Sequence, residues 1–119
     1  MESLTKAEEK VMQVLWKLDK AFVKDIIENL DESPKPPYTT ISSIVRILEG
    51  KGFVAYKAYG KTHEYYPVIK REEYSKRTMR QMIADYFDGS AANVMSFLVQ
   101  EEKLKASDIE ALKKLIDKQ

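Results

Sequence analysis

The chain has 119 residues, no cysteine, one histidine and a formal net charge of +1. That length suits one typical domain, or a small domain with an appendage that needs a partner, and it excludes a large enzyme with separate cofactor and substrate domains. With 44% hydrophobic and 33% charged residues the chain is too apolar for disorder and too charged for a membrane-embedded or fibrous protein. Without cysteine there are no disulfides or thiolate metal sites, and the single His63 offers little for zinc or triad chemistry, so neither cofactor nor metal is expected. The opening MESLTKAEEK lacks the basic-then-apolar order of a secretion signal, and a cytoplasmic location is expected.

Charge is unevenly spread. Residues 1–34 hold five bases and eight acids, a net of −3, whereas residues 35–71 hold seven bases against Glu49 and Glu64, a net of +5. The remainder, with eight bases and nine acids, is −1. A basic central third in an otherwise ordinary protein suits a surface that meets phosphates.

Thr5-Lys6-Ala7-Glu8 has the spacing of a capping box, and Val11, Met12, Leu15, Trp16 and Leu18 continue at helical spacing, predicting a first helix to about Leu18. Ala21-Phe22-Val23 reads either as a brief strand or as the lead-in to a second helix, whose stripe is Val23, Ile26, Ile27 and Leu30. Pro34, Pro36 and Pro37 stop it.

Ile41, Ile44, Val45 and Leu48 mark the buried stripe of a third helix ending near Gly50-Lys51-Gly52. Its other side carries Thr39, Ser42, Ser43 and Arg46 at the same spacing. A face meant only for water would favour Glu, Lys and Gln, whereas Thr and Ser are mediocre helix formers. Small side chains let a helix approach a groove closely, and an arginine can take guanine O6 and N7 together. Phe53–Tyr59 and Thr62–Ile69, rich in β-formers and separated by Gly60-Lys61, predict a hairpin with Lys57 and Lys61 on or beside its tip.

The order helix, short strand, helix, proline-rich loop, helix, hairpin predicts a winged helix-turn-helix, mainly α with a small β-hairpin, over residues 1–70. Residues 71–119 predict three further helices. Met79, Met82, Ile83, Tyr86 and Phe87 lie on the first, Val94, Met95 and Leu98 on the second, and Ile109, Leu112 and Ile116 on the third, opened by a capping box at Ser107-Asp108-Ile109-Glu110. Three such helices rarely hold enough core to stand alone, so these residues are expected to form a dimerisation domain between two copies of the chain.

LTKAEEKVMQVLW, TTISSIVRILEGKGFV, GKTHEYYPVI and SDIEALKKLIDK together resemble the penicillinase-repressor family of bacterial winged-helix regulators, often called BlaI/MecI/CopY. The resemblance covers nearly the whole chain. It implies a homodimeric repressor on a dyad-symmetric operator, with the third helix in the major groove and the wing along the backbone. It further implies a membrane sensor protease whose signal leads to cleavage in the dimerisation domain.

On that reading Arg46, Ser42, Ser43, Thr39 and Thr40 meet base edges or adjacent phosphates, and Lys51, Lys57, Tyr59 and Lys61 hold the backbone. The sequence departs from the family in three places. The arginine that usually precedes Leu48 is replaced by Ile47, with Arg46 one position earlier. The Asn-Phe cleavage junction aligns with Phe97-Leu98 and lacks the Asn. The cysteine motif of the copper-responsive branch is missing. A second reading, a winged-helix module that binds protein, has no need of the basic stripe, and no carboxylate pair, nucleophile or phosphate loop supports an enzyme.

Overall fold

A computed structural model describes residues 3–102 and 105–117. The elements are α1 (Lys6–Leu18), β1 (Ala21–Phe22), α2 (Val23–Asn29), α3 (Tyr38–Gly50), β2 (Val54–Tyr59), β3 (Thr62–Pro67), α4 (Arg71–Tyr86), α5 (Ala91–Glu102) and α6 (Ala106–Asp117). The chain divides into two compact units, 1–73 and 74–119. The first is a winged helix, in which a three-stranded antiparallel sheet of order β1-β3-β2 is joined to three helices.

The cap predicted for α1 forms in full: the Glu8 amide donates to Thr5 Oγ1 at 3.2 Å and the Thr5 amide donates to Glu8 Oε1 at 2.8 Å. Ala21-Phe22 is a strand, pairing with Tyr65 and Glu64 of β3. The Phe22 amide donates to Asp25 Oδ2 at 3.0 Å, which turns the chain from that strand directly into α2. Lys35 closes the far end of α2, its ammonium donating to the carbonyls of Leu30 and Glu28.

The core of this unit is built by the stripes that the spacing marks. Val11, Met12 and Leu15 of α1, Ile26 of α2, Ile41, Val45 and Leu48 of α3, and Phe53 ahead of β2 are buried. Each such side chain contributes about 1.5–3 kcal/mol by leaving water. Phe53 also fixes the chain path. Its amide donates to Leu48 O at 2.9 Å, and its carbonyl accepts from the amides of Val68 and Ile69. Trp16 is half-buried and its indole N–H donates to Ile69 O at 2.9 Å, joining α1 to the end of the hairpin.

In the second unit α4 ends with Asp88 and Gly89 at positive φ, and the Gly89 amide donates to Ile83 O at 2.9 Å, the conformation in which glycine is least strained. Ser90 then caps α5, its Oγ accepting from the Asn93 amide at 3.1 Å. The predicted capping box at Ser107 does not form. α6 begins two residues earlier, at Ala106, with the Lys105 amide donating to Asp108 Oδ2 at 3.4 Å, which leaves Ser107 inside the first turn.

Glu8 is the buried charged residue of the first core, and it is paired: Lys51 Nζ lies 2.7 Å from its Oε1 and 3.3 Å from the Ser3 carbonyl. Burial pushes the Glu8 carboxyl up, but the hydrogen bonds from Lys51 and Thr5 and the Lys51 charge outweigh it, and the group sits below its ordinary value. A group depressed in the folded state stabilises the fold above its unfolded pKa, and that contribution disappears as pH falls through the folded one. Glu8→Gln is expected to cost about 2 kcal/mol at neutral pH. Urea denaturation should show the gap between the two proteins closing on acidification through the glutamate range; a gap constant with pH would remove the pair from the stability of the fold.

Candidate nucleic-acid interface

Pro37 is the residue before α3 and has extended backbone. Its carbonyl receives the amides of Thr40 and Ile41 at 3.2 and 3.3 Å. No side chain caps this end and no acidic residue stands in the first turn, so the positive end of the helix dipole is not offset there by its own helix. Thirteen residues make the helix about 20 Å long, enough to lie along a groove about 12 Å wide.

With Ile41, Val45 and Leu48 buried, the opposite side of α3 is open. Thr39, Thr40, Ser43 and Arg46 are exposed and Ser42 is half-buried. Two large side chains stand with them that spacing did not select for contact, Tyr38 at 57% exposure and Ile47 at 49%. The signal for Ile47 was available, since it falls outside the 41-44-45-48 stripe.

The hairpin turns at Gly60-Lys61, with Tyr59 paired to Thr62. Gly60 has φ +63° and opens a two-residue turn of the II′ kind, the geometry that matches strand twist. Thr62 Oγ1 donates to Tyr59 O at 2.9 Å across it. Strand alternation puts Tyr56, His63 and Tyr65 on one face and Lys57, Tyr59, Glu64 and Tyr66 on the other. On the first face Tyr56 and His63 stack with centroids 4.0 Å apart and planes 7° from parallel, and Tyr65 leans on both rings. Burial raises the Tyr65 phenol, the Glu49 carboxylate adds to the rise and the Arg46 guanidinium opposes it, so the hairpin side of α3 carries Arg46.

On the second face the Tyr59 ring lies 5.8 Å from that of Phe22, and Lys57 Nζ sits 5.4 Å from the Tyr59 centroid. Lys57, Tyr59 and Lys61 are all exposed. Lys51, expected beside them, is turned to Glu8 instead, with its side chain 19% exposed. Its charge joins the two ends of the core, and it is better placed to hold the fold than to hold phosphate.

Among the residues expected at a dimer contact, Met82 and Tyr86 are exposed at 48% and 79%. Met79, Ile83, Phe87, Met95 and Leu98 are half-buried, and Val94 is buried within the single chain. Phe87 packs edge-on against Phe97 at 5.8 Å. Phe97 and Val99 are also open, at 45% and 46%, and were not among the expected residues. Ile109, Leu112 and Ile116 belong to α6, but their side chains lie outside what is described. Among the described residues no helix is long and apolar enough to cross a membrane.

Comparison with known proteins agrees with the winged-helix reading. The methicillin resistance regulatory protein MecI of Staphylococcus aureus (strain N315) and that of Mammaliicoccus sciuri are each 28% identical to this chain, over 97% of it and 94% of the relative. The penicillinase repressor of Bacillus licheniformis is 20% identical over 96% of this chain and 89% of its own. The model of the penicillinase repressor family matches residues 4–118, that is, both compact units and the helix that joins them, and the chain belongs to that family.

Proposed function

We propose that the chain is a transcriptional repressor that binds double-stranded DNA as a homodimer, one winged helix on each half of a dyad-symmetric operator. Residues 1–70 are the DNA-binding domain and residues 71–119 the dimerisation domain. The carrying observation is the open side of α3, where Thr39, Thr40, Ser43 and Arg46 stand exposed with the cations of the hairpin, Lys57 and Lys61, in the same unit. Short hydroxyls let the helix sink into the major groove, Arg46 reads a base edge, and Ser42 at the margin meets base or phosphate. Lys57, Tyr59 and Lys61 follow the phosphates.

Dimerisation draws on the open apolar side chains of the second unit, Met82 and Tyr86 in particular. A soluble repressor of this kind is released by changing that unit. A membrane sensor protease, acting directly or through a downstream protease, is the partner that this reading supplies. The Phe97-Leu98 bond lies inside α5, so cutting there requires the helix to open first.

Arg46→Ala is expected to weaken binding to a selected operator by about 1–3 kcal/mol per half-site and binding to random duplex far less, as measured by gel shift. Equal losses on both would make Arg46 a phosphate contact.

A plot of log affinity against log salt should fall steeply for the native chain, and Lys61→Ala, which removes one contact from each copy, should lower the slope by about two for the dimer on its operator. A flat plot would favour the protein-binding module, and an unchanged slope in the variant would take the wing off the DNA.

Sedimentation equilibrium should give a dimer for the native chain and a monomer for Met82→Glu/Tyr86→Glu. A native monomer would end the two-fold reading.

A further inference from the structure

Ile47 is half-exposed on the side of α3 opposite its buried stripe, in a row that begins with Thr40 and Ser43. Both of those neighbours are short, so nothing on the row stands as far from the helix axis as the isoleucine. The adjoining row has the same form: Thr39 and Ser42 lead to Arg46, again one long side chain after short ones. The two ridges point about 100° apart around the helix. A β-branched apolar residue at an open helical position gains neither propensity nor hydration there. Along the helix its neighbours three and four residues away are Ser43, half-buried Ile44, Gly50 and Lys51, so the exposed apolar group beside it is its own rather than part of a broad apolar patch.

In the major groove one apolar group is displayed on a base edge, the 5-methyl of thymine, and on a T·A pair next to a G·C pair it lies one step from the acceptors that an arginine takes on guanine. Adjacent Cα atoms are 3.8 Å apart and base pairs rise about 3.4 Å, so neighbouring residues reach base pairs roughly one or two steps apart. We propose that Ile47 is a specificity-determining residue that selects a thymine by its methyl group in each half-site, next to the base pair met by Arg46. This rests on the DNA-binding reading above and adds to it a base preference that hydrogen bonding alone does not supply.

The test begins with the full chain and a random duplex library. In the enriched duplex, thymines are replaced by deoxyuridine in symmetric pairs, which removes the methyl and leaves every hydrogen-bonding group in place. One pair should weaken native binding by about four-fold per half-site, or roughly 15-fold for both, as expected for losing burial of one methyl group. The Ile47→Ala protein, with its fold checked by circular dichroism, should bind the thymine and deoxyuridine duplexes alike at that pair.

The proposal is overturned if every pair changes native binding by less than about two-fold, or if Ile47→Ala keeps the full response. It is overturned equally if Ile47→Ala alters sedimentation rather than base preference, since Ile47 is then a contact between copies. Enrichment of a duplex that is indifferent to the methyl leaves the repressor reading standing. Failure to enrich any duplex, with a flat salt response, removes both.

Discussion

A helix proposed to read DNA is useful only if it cannot rock, and the constraint on which this unit depends is the clamp at the C-terminal end of α3. Leu48 is buried there, its carbonyl receives the amide of buried Phe53, and Lys51 between them reaches Glu8 at the start of α1. Phe53 then passes the restraint to the hairpin by accepting from Val68 and Ile69, and Ile69 passes it back to α1 through Trp16. The same short segment thereby fixes helix and wing together. Two surfaces that meet one ligand need that common reference, because an error of an ångström in either is enough to lose a hydrogen bond.

The clamp also changes how the charge of the middle third is understood. Its net of +5 suggests a broad cationic surface. Lys51 is taken by Glu8 and Lys35 by the carbonyls at the end of α2, so two of the seven bases serve the fold. Arg46, Lys57 and Lys61 remain on α3 and the wing, and they are set among neutral hydroxyl and aromatic groups. In the proposed complex these three cations act in both copies, and the salt dependence of binding follows from the number of phosphates that they meet.

Most of the architecture was legible because local signals agreed with one another. The Thr5–Glu8 box, the 41-44-45-48 stripe and the Gly60-Lys61 turn each fix an element through residues close in sequence. Legibility failed where the determining partner is distant or the segment short. Lys51 looks like any basic residue at a helix end until Glu8, 43 positions away, is brought against it. Two residues are too few to show a period, so Ala21-Phe22 stayed ambiguous until Tyr65 and Glu64 supplied the pairing. At Ser107 two caps competed, and the one using Asp108 lengthens α6 by two residues. On α3 the spacing marks Ile41, Val45 and Leu48 as inside, with Ile44 only half-buried, and it leaves Ile47 outside the stripe, whereas propensity gives no reason to single out Tyr38.

The second unit poses the opposite problem: among its described residues few apolar side chains are buried. No residue of α4 is buried, and Tyr86, Met82, Phe97 and Val99 face outward. A helical unit of 46 residues is small to stand alone, and in the proposed dimer the second copy covers the apolar side chains of α4 and α5 that are open here. Folding, dimerisation and operator binding are then linked equilibria, and whatever loosens this unit lowers occupancy of the DNA without touching the reading helix. The linkage amplifies small effects. Each half-site contact is made twice, so a few-fold preference per half-site becomes its square in the complex, and a modest local destabilisation in α4 or α5 is felt at both ends of the operator together. On the proposed reading, the sensitivity of the repressor lies in the half that never meets a base.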